Sequence, residues 1–509
     1  MGVALLAWRP PWPNGVSYIR KSAADKSRAP APCQATAPAG RVTRACLYAT
    51  RRANLCDMIA SLLRRVACGA LLASLLLAHA ARLASAAVTL PLMDGFGIHI
   101  EAVESITPRQ LHYRVSTAAL QQPVDLRILL PADYAERTTP YPVLYLFHGT
   151  SGRASDWVSA GDAEATTAGL PVIVVMPDCG FNGDGGGWFS DWFNFGAFGP
   201  PMWETFHVTQ LIPWVDLNFR TVAGRDGRAV AGLSQGGFGS LSYAARHPDL
   251  FTSAAAFSGG CQIDRDQEAI DTSTAIIMFT TGVLSGKDPN AIFGPRATYP
   301  LNWRAHDPAS LVTNLRGMDI QLWTGDGAQG PLDPGPPTAP LDPIEVVTFG
   351  ATRLFHGHLD QSRIPHGYFY YGAGTHTWPY WARDLREYMP LLMARFDAAP
   401  PPPRTVNYAS YDDLYQAWGW RVALQRDARD LSQLRYATRN GFTLTGTGVA
   451  AVRTAPLFAP GERVRVRLRG YQVRSAAVAE ADSAGRLLIS VPLSDGPRAR
   501  TTRVSLQPR

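Results

Sequence analysis

One short segment limits the fold more than any other: Gly232-Leu233-Ser234-Gln235-Gly236-Gly237. It follows the apolar run RAVAG (228–232) and precedes GSLSYAARH (239–247), which has helical character. A serine between glycines at a strand-to-helix junction sits on a tight turn with its hydroxyl exposed, and the small neighbours let strand and helix approach closely. Ser234 is therefore the candidate nucleophile; its plainer role would be helix capping. Such a junction calls for a sheet with helices packed on its faces.

The rest of 111–396 fits that plan. LHYRVS (111–116) and VDLRILL (124–130) read as two antiparallel opening strands. Six further candidates are PVLYLFHG (142–149), PVIVVMPD (171–178), RAVAGLS (228–234), TSAAAFSG (252–259), DIQLWTG (319–325) and GYFYYGAG (367–374). Their continuous apolar runs predict strands buried on both faces. Segment 204–219 predicts a helix that Pro213 must bend or restart. Trp381, Leu385, Met389, Leu392 and Phe396 form one helical stripe, interrupted by Pro390.

AAPPPP (398–403) reads as a stiff linker. Beyond it, 442–452, 463–470, 472–480, 486–493 and 502–507 are short strands between turn residues, predicting a small β-sandwich over 404–509. Arg463, Arg465, Arg467 and Arg469 alternate with Val464, Val466 and Leu468. They suit the solvent face of a sandwich strand, or, in a sharper reading, attachment to an anionic cell-envelope polymer.

The formal charge of +7 hides a strong segregation. Residues 1–87 hold 12 basic and 2 acidic side chains, 88–400 hold 19 and 31, and 401–509 hold 17 and 8. The basic excess sits at the ends, which argues against a nucleic-acid binder. Within 58–87, Arg64 and Arg65, the apolar run 66–81 and Ala84-Ser85-Ala86 have the order of an export signal. Residues 1–57 show no periodicity and read as a disordered or mis-annotated extension; 88–397 is the expected catalytic domain. No transmembrane segment is expected after signal cleavage. Cys179 and Cys261 alone remain in the body, and two strands are expected between theirs, so they should be unbridged.

A nucleophile needs an oxyanion site, a base and an orienting acid. His148-Gly149-Thr150-Ser151-Gly152 closes a strand, and the backbone amides of Thr150 and Gln235 are the candidate donors. His148 itself suits a loop-ordering role. His376, beyond the last strand, is the candidate base; His356, His358 and His366 are competitors. For the acid, Asp326 follows a strand directly and is the choice of simple physics, while Glu345 lies in the following excursion. Among nine tryptophans between 157 and 381, Trp188 and Trp192 stand in a Gly-rich loop expected to line the cleft. His356 and His358 form a lone H-x-H, and Asp184, Asp191 and Asp326 lack ion-binding spacing, so no metal is expected. No dinucleotide fingerprint is present and no cofactor is expected.

The chain resembles the esterase D and antigen 85 (mycolyltransferase-like) family of α/β-hydrolases. The resemblance rests on LFHGTSGRASDW (146–157), VIVVMPDCG (172–180), FSDWF (189–193), WETF (203–206), LIPWV (211–215), AGLSQGGFGSLSYAARHPDLF (231–251), SGG (258–260), TGDG (324–327) and GTHTWPYW (374–381). It covers about 124–396. It implies an α/β-hydrolase sheet with helices on both faces, here followed by a small C-terminal all-β sandwich-like domain. It also implies a glutamate acid about thirty residues before the histidine; Glu345 stands 31 before His376, which makes it the expected acid and Asp326 the alternative. In the mycolyltransferases a loop resembling L-L-D-G-L-R uses its Asp and Arg toward a trehalose head group; His148 and Ser151 stand there in this chain. His148, Ser151, Trp188, Trp192 and Trp378 are the expected substrate-binding residues.

The expected function is that of a secreted serine ester hydrolase or acyltransferase working through an acyl-enzyme. The alternatives are a mycolyl- or diacylglycerol acyltransferase acting on envelope glycolipid, and a non-catalytic envelope-binding protein.

Overall fold

The computed structural model describes residues 93–335, 340–471 and 473–508. The segment expected to be an export signal and the extension before it lie outside the described residues. Among the described residues no helix is long and apolar enough to cross a membrane.

A nine-stranded sheet forms the first body: β1 Ile98–Ser105, β2 Gln110–Thr117, β3 Val124–Leu129, β4 Val143–Phe147, β5 Ile173–Pro177, β6 Arg228–Leu233, β7 Ser253–Phe257, β8 Asp319–Thr324 and β9 Gly367–Tyr370. Its order is β1-β2-β3-β5-β4-β6-β7-β8-β9. The pairs from β1 to β5 are antiparallel and those from β5 through β4 to β9 parallel. Every residue of β4, β5, β6 and β7 is buried. Successive side chains in a strand point to opposite faces, so two cores result. Val143, Tyr145 and Phe147 join one with Trp214 and Phe238, and Leu144 and Leu146 join the other with Trp381 and Leu385.

The helices used below are α1 Ile212–Asn218, α2 Gln235–Arg246, α3 Gln267–Ile277, α4 Pro343–Gln361 and α5 Trp378–Asp397. Pro213 lies in the first turn of α1, which restarts regular helix after a wide π-type stretch over Thr205–Leu211. Pro390, in contrast, does not interrupt α5. It is exposed, so the carbonyl that loses its donor can be hydrated. Strand β1 was not anticipated; most of its residues are exposed, leaving no apolar run to read.

The C-terminal residues form two further sheets with one shared core. Six strands follow the order β10-β13-β14-β19-β16-β17, and four follow β11-β12-β15-β18. These are β10 Val406–Ser410, β11 Leu414–Ala417, β12 Trp420–Gln425, β13 Ser432–Thr438, β14 Gly441–Gly446, β15 Gly448–Arg453, β16 Arg463–Gly470, β17 Val473–Glu480, β18 Leu488–Ser494 and β19 Arg500–Pro508. The expected single strand over 442–452 is instead β14 and β15, in different sheets. Gly448 makes the turn between them with a φ of 74°, a left-handed value suited to glycine.

This sandwich docks on the nine-stranded body through a largely buried charge cluster. Arg246 on α2 binds Glu204 at 2.8 Å and Asp412 at 3.0 Å. Ala409 exchanges two hydrogen bonds with the Asn314 side chain, and the Tyr408 hydroxyl donates to the Arg246 carbonyl. Burial alone would raise both carboxyl groups, but Arg246 and the neighbouring cations hold Glu204 and Asp412 below the ordinary range.

Candidate active site

Ser234 joins β6 to α2 with φ 53° and ψ −120°, a conformation reached only because the surroundings enforce it. Its amide donates to the Phe257 carbonyl at 3.0 Å. The flanking glycines permit the turn: a Cβ on Gly236 would lie 2.4 Å from the His148 carbonyl oxygen, and one on Gly232 2.5 Å from the Gly236 backbone. The strand carrying His148, the turn and α2 are thus in backbone contact.

Glu345 sits in the first turn of α4 and is fully buried. It accepts from His376 Nδ1 at 2.7 Å, from the Gly325 amide at 2.7 Å and from the Ser258 hydroxyl at 2.9 Å. A carboxylate only accepts, so Nδ1 carries the proton and Nε2 is left for the cleft, which Ser234 also lines. The His376 ring stands edge-on to Trp381 at 4.9 Å. Asp342 holds the two partners in register: it caps α4 by accepting from the Ile344 and Glu345 amides, and accepts from the His376 amide at 2.9 Å. That residue was missed; the signal was an aspartate before Pro343, the pattern of a helix start.

Asp326, the alternative acid, is turned away. It closes its own turn by accepting from the Ala328 amide and receives the Tyr370 hydroxyl at 3.1 Å. His356 and His358 lie farther along α4 and His366 beyond it; none of the three lines the cleft.

Thr150 and Ser151 line the mouth opposite Ser234. The Gln235 side chain braces this loop, donating to the Thr150 hydroxyl at 3.0 Å and accepting from the Trp188 amide at 3.2 Å. The Thr150 and Gln235 amides have no acceptor among the described residues. His148 does not line the cleft: it is buried, its Nε2 accepts from the Cys179 amide at 2.9 Å and Nδ1 donates to the Gly149 carbonyl. Trp192 likewise lies off the cleft lining, buried with its ring N–H on the Gly187 carbonyl. Trp188 and Trp378 do line the cleft. Cys179 and Cys261 are free and buried, just after β5 and β7, which β4 and β6 separate in the sheet. Burial pushes the Cys261 thiol up to about 12 and Cys179 well above its usual range.

The family model described as "Putative esterase" matches residues 117–392. The chain belongs to this esterase family. Esterase Rv1288 of Mycobacterium tuberculosis is 35% identical over 282 residues, 54% of this chain and 57% of that protein. The chain thus spans a little over half the length of that relative. Diacylglycerol acyltransferase/mycolyltransferase Ag85B of Mycolicibacterium smegmatis is 29% identical over 227 residues, 43% of this chain and 66% of that protein. The crystal structure of Mycobacterium tuberculosis MPT51 aligns with a TM-score of 0.45 at 23% identity, covering 58% of this chain and 99% of that one.

In this esterase-family chain the cleft holds about 400 Å³ and is chiefly apolar, with Ile276, Phe279, Leu284, Val347, Ala351 and Trp378 on its walls. Its roof is α3 and the following stretch to Lys287, which sequence reading missed. The signal was AIIMFTTGVL (275–284), an apolar run outside any strand candidate.

Proposed function

We propose that the chain is an exported serine ester hydrolase, competent for acyl transfer, that works through an acyl-enzyme on Ser234. The observation that carries this is the Glu345–His376 pair, with its free ring nitrogen in the apolar cleft that Ser234 lines. His376 takes the Ser234 proton as the hydroxyl oxygen attacks the ester carbonyl, and Glu345 stabilises the imidazolium that results. The Thr150 and Gln235 amides receive the oxyanion. Collapse of the tetrahedral species expels the alcohol, which takes its proton from His376. Water, or a second alcohol, then attacks the acyl-enzyme by the reverse sequence.

The apolar walls favour an acyl ester or a glycolipid as donor. A mycolyl or diacylglycerol acyltransferase activity is the alternative within the same chemistry. Trehalose is expected to be a poor acceptor, because Ser151 and the buried His148 offer no counterpart of an Asp and Arg at the mouth. The basic face of the sandwich suits attachment to an anionic envelope polymer. Arg435, Arg503, Arg469 and Arg474 stand in one row across the six-stranded sheet, with Thr443 between the first two. None of the four is ion-paired among the described residues, and salt-sensitive retention on a polyanion, lost in Arg469→Glu/Arg503→Glu, would test it.

The test of the catalytic reading is labelling by a fluorophosphonate, located by peptide mapping. Label on Ser234, lost in Ser234→Ala together with ester cleavage, is the expected result. Turnover above about a tenth of wild type in that variant overturns it; a folded wild-type chain that neither labels nor cleaves esters favours the non-catalytic binding protein. Partitioning of a labelled acyl donor between free acid and glycolipid, with and without trehalose, separates hydrolysis from transfer.

A further inference from the structure

The geometry points to a divalent-metal site of the zinc class at the far end of α4, formed by His356, Asp360 and His366. His356 and Asp360 are one turn apart on α4 and so share a face. The chain leaves the helix at Gln361 and returns His366 to that face immediately before β9. One donor atom from each of the three lies within 4.8 Å of the others.

His366 holds the tautomer that ligation needs. His366 Nδ1 lies 2.8 Å from the Ile364 carbonyl, which can only accept, so Nδ1 carries the proton and the Nε2 lone pair faces inward. In this structure that lone pair accepts from His356 Nδ1 at 2.7 Å, a hydrogen bond that a bound ion would replace. A ring N–H held by a backbone carbonyl, with the opposite nitrogen free, is the usual support of a metal-binding histidine. His356 is fixed in turn by stacking on Tyr368, with centroids 4.2 Å apart and planes 10° from parallel. Asp360 Oδ2 lies 3.5 Å from His356 Nε2.

Bonds of 2.0–2.2 Å put neighbouring donors of a tetrahedral zinc site about 3.3 Å apart. One donor atom of each residue already lies within 4.8 Å of the other two, so rotations of these partly exposed side chains draw the triad to that spacing. Two imidazoles and one carboxylate select a zinc-class ion over magnesium or calcium. Asp360 is 64% exposed, which leaves the fourth position to water. A bound ion would staple the last turn of α4 to the entry of β9. The first turn of α4 carries Glu345, and β9 leads into the loop that ends at His376, so the staple would join the supports of acid and base. It would do so from outside the cleft, which none of the three ligands lines.

The test is calorimetric titration of Zn²⁺ into the chelator-treated full chain, alongside thermal melts. One Zn²⁺ per chain is expected, with micromolar affinity and a raised Tm. His366→Gln and Asp360→Asn should each weaken binding at least about tenfold and lose the Tm rise. Asp360 is exposed enough that its variant should fold normally, which circular dichroism checks. Absence of saturable binding up to about 100 µM Zn²⁺ overturns the proposal. So does unchanged binding in either variant.

Discussion

On the floor of the cleft, Gly232, Gly236 and Gly237 bring backbone against backbone, and the nearest contacts a side chain would meet are main-chain atoms of neighbouring segments. Across from it, the roof over 267–287 meets the Gly-rich loop below through side chains. Among them, Trp188 donates to Thr281 at 3.0 Å, Asp184 pairs with Lys287, and the Lys287 ammonium lies over the Phe181 ring. Met278, Phe279, Val283 and Leu284 of the roof remain exposed. The floor cannot shift without moving a strand, whereas the roof can shift by losing side-chain contacts alone. Chemistry that tolerates little misplacement belongs on the first kind of support, and recognition of variable acyl groups on the second.

The most severe break of the floor is electrostatic. Glu345→Gln keeps the shape but leaves His376 without a charged partner, and kcat should fall roughly 10³- to 10⁴-fold. Asp326→Asn should leave kcat near wild type, since that carboxylate serves its own turn and the Tyr370 hydroxyl rather than His376. Steady-state kinetics on one soluble ester decides between them; equal losses would return Asp326 to the mechanism. Gly236→Ala comes next. Its Cβ would press on the carbonyls of Phe147 and His148 at 2.7 and 2.4 Å. A destabilisation of about 1–3 kcal/mol is expected. Displaced oxyanion amides should add a kcat loss of about a hundredfold. A variant with wild-type Tm and kcat would show that the elbow yields where the contacts say it cannot.

The same contrast explains what could be read in advance. Strands β4 to β8 are buried on both faces, so their apolar runs were visible without a partner. β1 and β10 to β13 are exposed or alternate, and no apolar run marks them. The turn at Ser234 was legible because its requirement is local. The carboxylate facing His376 was legible only through the family resemblance: a strand-end rule favours Asp326, and the path of the chain through α4 brings Glu345 under the imidazole. The placement of His148 and Trp192 was hidden for the opposite reason, since loop residues are expected at the surface and these fill the interior. His366 meets His356 ten residues away across a helix end, a juxtaposition that no linear motif encodes.

The roof supplies the smallest effect and the sharpest comparison. Lys287→Met keeps an apolar stem of similar length while deleting the charge that pairs with Asp184. Both partners are partly exposed, so the direct loss is about 0.2–1 kcal/mol and shrinks with added salt. A roof held less firmly should leave kcat for an acetyl ester unchanged, because that substrate needs only the floor. For an octanoyl ester, whose chain must pack against Ile276, Phe279 and Leu284, KM should rise a few-fold. The measurement is KM and kcat across an acyl-length series at low and high salt. One contact links the two regions and could defeat the separation: the Asp184 carbonyl accepts from the Ser151 amide at 2.9 Å, next to Thr150. If Lys287 steadies the floor through that bond, kcat falls at every chain length, and the division between a backbone-held floor and a side-chain-held roof fails. A KM effect that grows with chain length at constant kcat would locate Lys287 in the roof alone.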